Sequence, residues 1–495
     1  MRLANNKIMQ QMDHRAINKI KIPSMVLMEN AARSVFEAIH PLLELESKVF
    51  IFVGSGNNGG DGYGLARICK NHGWEVAVVA MAQAASPDCK KMAKIYQSFG
   101  QILDFESFQA ADPEITQRDI VVDAIFGTGL EREIEGELVE NMKWIDQLGG
   151  VKIAIDLPSG VNGSTGDQMG ASIRADMTIG LAQPKVGHYL YPGKALRGGL
   201  VVKPVSIPEV YESSDPNYQL INDELVLGMF KPLNTTTYKH EQGHLALLCG
   251  AAGTLGAGLL AARASLTSGS GLATLALPSE LQSAAVHEAP EVMSHPREKL
   301  GPKWFAHFNA VVAGCGVGRK KVDWKKYFAW FKKLDIPLVL DADAFHGLST
   351  LKGLNMEKLV LTPHLGEFLA FTKNESPKDN ATRIAQGLEF VKKWPCTLIL
   401  KGAPTIIFTA DGRIFINETG NAGLATAGSG DVLAGFVGGL LAQGYQPEEA
   451  SLLGVWLHGL AADIYCERAA PESLTAVSLI DCLGPAMAQL QDELG

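Results

Sequence analysis

The chain is poor in cysteine, with seven in 495 residues and no C-x-x-C pair. An odd set without paired spacing argues against a disulfide framework or a zinc site and fits reduced thiols in a cytoplasmic protein. Long basic runs are missing and the formal charge is −9, which disfavours nonspecific binding to nucleic acid or to an anionic membrane. No G-x-x-x-x-G-K-[ST] occurs, so any nucleotide is held by something other than a loop of that kind. Uninterrupted apolar runs are also scarce. Met1 to Lys19 lacks the apolar core of a signal peptide and reads as a surface helix. Leu245 to Ala262 is uncharged but is broken by Gly250, Gly253, Gly256 and Gly258, and reads as a strand, a glycine turn and a helix rather than a membrane span.

What is present is ordinary for a soluble protein with real cores, 46% hydrophobic and 20% charged, at a length that suits two large α/β domains. Met25 to Ile39 reads as a helix. The strand Lys48 to Val53 then runs into a glycine-rich loop, Gly54 to Gly62, and a predicted helix, Tyr63 to Asn71. The loop contains a formal G-x-G-x-x-G, but a dinucleotide fold needs an acidic residue after the next strand. Glu75 to Met81 leads into Ala82, Gln83 and Ala84 instead. Asp61 would put negative charge inside the supposed phosphate loop, so a hydroxyl- or cation-binding role is at least as plausible. Two further strands end alike: Asp119 to Ile125, carrying Asp123, leads into Gly127-Thr128-Gly129, and Val151 to Ile155 leads into Asp156 and Ser159. Loops at the carboxyl ends of parallel strands share one crevice, so Asn58, Asp61, Asp123, Asp156 and Ser159 are expected to meet. Such an oxygen-rich set suits a cation and a polyhydroxylated ligand. A single strand-end Asp is usually a turn or cap residue, an account that weakens when three strands end the same way. Lys185, in Gln183-Pro184-Lys185-Val186-Gly187, has a loop that could face the same crevice, but reads first as a solvated lysine.

The polar stretch Pro208 to Asn222 places a boundary between domains 1–211 and 225–495. Beyond it the α/β alternation resumes, with strand candidates at His244 to Cys249, Leu272 to Leu277, Ala310 to Gly314, Ile336 to Leu340, Lys358 to Leu361 and Thr397 to Leu400. Several end in polar residues: Asp341-Ala342-Asp343, Thr362 to Glu367, and Lys401 to Thr405. Gly420 to Asp431, reading GNAGLATAGSGD, follows a short strand, Arg413 to Asn417, and precedes an apolar helix, Val432 to Leu441. Glycines before a helix N-terminus make an anion hole, because free N–H groups and the helix dipole attract negative charge. Asp431 at its edge either takes a proton from an attacking hydroxyl or only complements the dipole. Lys401 would complete the anion site. His364 either orients a phosphate or substrate or is structural.

In their order, NNGGDG, VDAIFGTG, DLPSG and GLATAGSGD resemble the bifunctional NAD(P)H-hydrate repair enzymes over nearly the whole chain. The resemblance implies metabolite repair of hydrated NADH and NADPH. A Rossmann-like parallel α/β epimerase domain would interconvert the R and S hydrates, and a ribokinase-like α/β domain would dehydrate the S form at the expense of ADP, with Mg2+ carried by the nucleotide. It further implies that Asn57, Asn58, Gly59, Gly60 and Asp61, and Gly127, Thr128, Gly129, Leu130, Glu131, Arg132 and Glu133, form epimerase hydrate-binding loops, with Asp156 the contacting carboxylate. Asn58, Asp123 and Ser159 would be potassium ligands. In the dehydratase, Lys401, Gly402, Ala403, Pro404, Thr405 and Gly430 would contact the nucleotide. Ala257, Gly318 and His364 would lie along the hydrate, with Asp431 at its reactive hydroxyl. A homo-oligomer acting on small molecules is expected. Leu365, Ala422 and the Phe345-His346 pair depart from the usual pattern and alter loop shape without removing a reacting group. The alternative reading is a ribokinase-like kinase of a small alcohol with a regulatory or scaffold N-terminal domain.

Overall fold

The computed structural model describes residues 1–44, 46–208, 218–318, 322–347 and 351–494. The chain divides into two compact units, one of Arg2–Tyr218 with Asp379–Ala381, the other of Met1, Gln219–Lys378 and Thr382–Gly495. The centre of the polar stretch expected to carry the boundary, 209–217, lies outside the described residues.

The first unit is built on seven strands: β1 (Lys48–Val53), β2 (Glu75–Ala80), β3 (Ile102–Asp104), β4 (Ile120–Ala124), β5 (Val151–Ile155), β6 (Met177–Leu181) and β7 (Gly199–Lys203). They lie in the order β3-β2-β1-β4-β5-β6-β7, every neighbouring pair parallel. Runs such as Val49–Val53 are buried throughout, as a parallel sheet covered on both faces requires. The strand order reverses between β1 and β4, where a crevice opens at the carboxyl ends. Two expectations are corrected here. The helix α2, Asn57–Asn71, begins six residues before Tyr63, so the asparagines and glycines expected as a loop form its first turns. Packing explains the glycines: a Cβ on Gly59 would come within 2.0 Å of the Gly54 carbonyl oxygen, and one on Gly62 within 2.7 Å of Ala124 Cβ. The N-terminal helix α1, Asn6–Asn18, is no mere surface helix, since it buries Ile8, Met9, Met12 and Ala16.

From His244 onward the strands of the second unit are β8 (His244–Leu248), β9 (Leu272–Leu277), β10 (Met293–Pro296), β11 (Ala310–Ala313), β12 (Leu338–Leu340), β13 (Leu359–Leu361), β14 (Thr397–Leu400), β15 (Ile406–Phe408) and β16 (Ile414–Asn417). They run β16-β15-β14-β13-β12-β11-β8-β9-β10. From β14 to β10 the pairs are parallel, while β14–β15 and β15–β16 are antiparallel. Behind the sheet, α3 (Leu255–Thr267) packs on α4 (Ser429–Ala442), which is buried from Val432 onward. The two helices touch through glycine: a Cβ on Gly435 would lie 2.0 Å from Ala261 O, and one on Gly439 2.1 Å from Ser268 Oγ. The helix α5, Pro447–Cys466, completes the layer and buries Leu452, Val455 and Trp456. Among the described residues, no helix is long and apolar enough to cross a membrane.

Candidate active sites at the strand ends

In the first unit a cavity of about 580 Å³ opens where β1, β4 and β5 end, and α1 closes over it. Asn57, Asn58 and Asp61 from α2, Gly127 to Arg132 from the loop after β4, and Asp156 after β5 line it. Glu133, Gly59 and Gly60 are not among its lining residues; Gly59 and Gly60 carry the packing beneath. Asp123 and Ser159 are bonded to each other: the Ser159 N–H and Oγ donate to Asp123 at 2.7 and 2.5 Å, and Ser159 Oγ accepts from Phe126 N at 2.8 Å. Burial pushes the Asp123 carboxyl up to about 6 against these hydrogen bonds. Among the described residues, neither side-chain polar atom of the buried Asn58 has a hydrogen-bond partner. That is costly unless a ligand, ion or water satisfies them.

The cavity also holds a carboxylate to which no sequence motif pointed. Asp13, from α1, lines it; burial and the nearby Asp156 push its carboxyl up to about 6. Asp61 is raised well above the usual carboxylate range by burial, then by Asp156 and Asp13. Lys185, expected to be solvated, is instead fully buried. Its ammonium is ion-paired with Asp156 Oδ1 and donates to Leu181 O at 2.6 Å. His188 donates from Nε2 to Asp156 O at 2.7 Å. The signal in the sequence was slight, a lysine four residues beyond the end of β6.

In the second unit, loops after β8, β11, β12 and β14 gather around the start of α4. Gly428, the N-cap, has a φ of 90°, which glycine adopts without strain, and a Cβ on Gly430 would sit 3.2 Å from Lys401 Nζ. Lys401 Nζ pairs with Asp341 Oδ1 at 2.8 Å. Burial opposes this ammonium's charge, but Asp341 outweighs it and holds the group above its ordinary range. One ligand atom each from Cys315, Asp341 and Asp431 lies within 4.8 Å of the others. Burial first, then Asp341, pushes the Asp431 carboxyl up to about 6. The Cys315 thiol is held well above its ordinary range by hydrogen bonding to Cys249 and by burial.

Gly318 N donates to Asp343 Oδ2 at 2.8 Å, and Ala257, in the first turn of α3, borders the loop at Gly316. His364 caps the helix Leu365–Thr372, its Nδ1 accepting from Glu367 N at 3.3 Å while Glu367 Oε2 accepts from His364 N at 3.0 Å. Two braces were invisible in the sequence. Buried Arg383 donates to Pro404 O at 3.1 Å and holds the Lys401–Thr405 loop. Asp463, on α5, accepts from Gly420 N at 2.7 Å and from Asn421 Nδ2 at 2.8 Å, fixing the glycine turn.

Known proteins align with both units. A family described as NAD(P)H-hydrate dehydratase matches residues 245–484, and one described as YjeF-related protein N-terminus matches residues 24–187. A bifunctional NAD(P)H-hydrate repair enzyme of Moorella thermoacetica is 34% identical, over 98% of this chain and 96% of its own length. The solved ADP/ATP-dependent NAD(P)H-hydrate dehydratase of Bacillus subtilis, co-crystallized with ATP/Mg2+, superposes with a TM-score of 0.50 at 27% identity, covering 55% of this chain and 98% of that one. A ribokinase-like superfamily protein of Enterococcus faecalis, at 24% identity and TM-score 0.50 over 55% of this chain and 96% of its own, shares the fold of the second unit. With both crevices accounted for and the match running nearly end to end, the chain belongs to the family of bifunctional NAD(P)H-hydrate repair enzymes.

Proposed function

We propose that residues 1–211 epimerise hydrated NADH and NADPH and that residues 225–495 dehydrate the S epimer at the expense of ADP, yielding NAD(P)H, AMP and phosphate. The observation that carries this reading is the pairing, in one chain, of a carboxylate-lined cavity around Asp156 with a glycine-preceded helix start bearing Asp431 beside Lys401. The kinase alternative is not favoured, because the curated relative covers both halves of the chain.

In the dehydratase, the start of α4 and Lys401 receive the terminal phosphate of ADP. Asp431 takes the proton of the C6 hydroxyl, and that oxygen accepts the terminal phosphoryl group. Phosphate then leaves C6, the departing phosphate takes a proton from C5, and the ring double bond forms between these carbons. The raised carboxyl of Asp431 suits a base that works near neutral pH. Ala257, Gly318 and His364 would lie along the hydrate, and Lys401, Gly402, Ala403, Pro404, Thr405 and Gly430 along the nucleotide. Magnesium bound with ADP would neutralise phosphate charge, and the oxygens of Asp341 and Asp343 are donors of the kind it prefers.

In the epimerase, the unpartnered Asn58 side chain with Asp123 and Ser159 is an oxygen-donor set that fits potassium. The ion would supply fixed positive charge beside the hydrate. Asp156 faces the C6 carbon and assists loss and return of its hydroxyl. Asn57, Asn58 and Asp61, with Gly127 to Arg132, hold the rest of the hydrate. Homo-oligomeric assembly and a cytoplasmic location are part of the same reading.

The test supplies the S hydrate with ADP to the purified chain and separates the products. Reduced nicotinamide with equal amounts of AMP and phosphate is expected. A stable phosphorylated alcohol without return of reduced nicotinamide would restore the kinase reading.

A further inference from the structure

Asp156 is held in a way that a plain strand-end carboxylate does not need. It is a non-glycine residue with φ of 71°, a left-handed conformation uncommon outside glycine and one that aspartate tolerates better than most residues. Four polar ties hold it there. Its N–H donates to Ile179 O at 2.8 Å, its carbonyl accepts from His188 Nε2 at 2.7 Å, and its Oδ1 accepts from Leu181 N at 3.2 Å and from the Lys185 ammonium. The Lys185 amide N–H in turn donates to His188 Nδ1 at 3.1 Å. That bond fixes the imidazole tautomer with its hydrogen on Nε2. Burial, reinforced by the Lys185 charge, pushes His188 down to about 3, so the ring stays neutral and the arrangement is constant across the working pH range.

Among the described residues, only one carboxylate oxygen of Asp156 is tied. A Cβ on Gly127 would lie 3.2 Å from Oδ2, so that oxygen points toward the loop lining the cavity. Lys185 has no exposed surface, and burying an ammonium is costly unless it is paired and hydrogen-bonded. A lysine in this place is therefore tolerated for its partner.

We propose that Lys185, backed by His188, is the positioning residue of the epimerase: it ties Oδ1 of Asp156 to the β6 end so that Oδ2 alone meets the hydrate. This rests on the epimerase reading of the first unit. A lysine that only staples the Pro184–His188 turn would affect stability and hydrate affinity together. A positioning lysine acts on turnover, because carboxylate aim matters at the transition state more than in the ground state.

The experiment uses the full chain, so the dehydratase rate on the S hydrate reports in each sample that the rest of the protein is intact. Interconversion of the purified R hydrate is followed by chromatographic separation of the epimers in wild type, Lys185→Met, Lys185→Arg and Lys185→Ala. Lys185→Met is expected to lower epimerase kcat by about thirtyfold or more with KM within about twofold. Lys185→Arg should regain part of that loss, and ethylammonium, but not propanol, should partly restore Lys185→Ala. If Lys185→Met unfolds the first unit, His188→Gln is measured instead, and the same fall in kcat at constant KM is expected. A kcat within about twofold of wild type in the folded variant, or a rise in KM as large as the fall in kcat, would overturn the proposal. Should the wild-type chain itself leave the R hydrate unchanged, the epimerase reading fails; if wild type works and Lys185→Met works equally well, only the role of Lys185 fails.

Discussion

Burial and the neighbouring Asp341 push the Asp431 carboxyl up to about 6, from an ordinary value of 3.8. The folded chain therefore binds this proton more tightly than the unfolded chain does. Its stabilising effect is complete below the unfolded value and is lost as pH rises through the folded one. At neutral pH the ionised Asp431 is thus a destabilising group retained for its chemistry. Two outcomes follow for Asp431→Asn. Dehydratase turnover falls at least about a hundredfold with ADP affinity little changed, as loss of a positioned base requires. The melting temperature of the second unit rises relative to wild type at about pH 7.5, and the gain disappears toward about pH 4, which calorimetry at both pH values checks. In the wild type, dehydratase kcat/KM should fall as pH drops below about 6, where the free enzyme's base becomes protonated. Asp431 and Asp156 were legible in the sequence because each ends a strand or opens a helix within a glycine motif. Lys185 and Asp13 were not. Their burial depends on segments far off in sequence, and no local pattern distinguishes a lysine paired with Asp156 from a solvated one.

At the scale of elements, glycine was easy to see and hard to interpret. Gly54 to Gly62 looked like a phosphate loop, but these residues let α2 start directly against the ends of β1 and β4, where a Cβ on Gly54 would come within 2.0 Å of Ile125 O. Close packing and phosphate approach select the same residue, so sequence alone does not separate them. Gly435 is similar: it reads as a weak point in α4 and serves as the contact with α3. Gly435→Ala should destabilise the second unit by about 1–3 kcal/mol, as overpacking of a tight core typically does, measured by urea unfolding. The short strands β3, β10 and β15 went unrecognised. The glycine turn before α4 has a brace of its own in Asp463, forty-two residues beyond Asn421. Removing it frees Gly420 N and the Asn421 amide, so Asp463→Ala should raise the KM for ADP about tenfold, roughly 1.4 kcal/mol of binding, while epimerisation in the same sample is unchanged.

The whole molecule joins two α/β units with separate crevices, each built at the carboxyl ends of parallel strands. The class of each unit followed from strand and helix alternation, and the chemistry followed from the four motifs taken in order. An epimerase and a dehydratase on one chain make functional sense if the dehydratase accepts one epimer, because the other would otherwise accumulate. A chain carrying both activities restores both hydrates. The direct measurement is incubation of the mixed R and S hydrates with excess ADP while following return of reduced nicotinamide, in wild type and in Asp156→Asn. Wild type should convert the mixture completely, and Asp156→Asn should release the S share quickly and then slow to the rate of spontaneous epimerisation. A wild-type reaction that halts once the S epimer is consumed would mean that the first unit does not epimerise, and an Asp156→Asn chain that proceeds as wild type does would mean that Asp156 has no part in it.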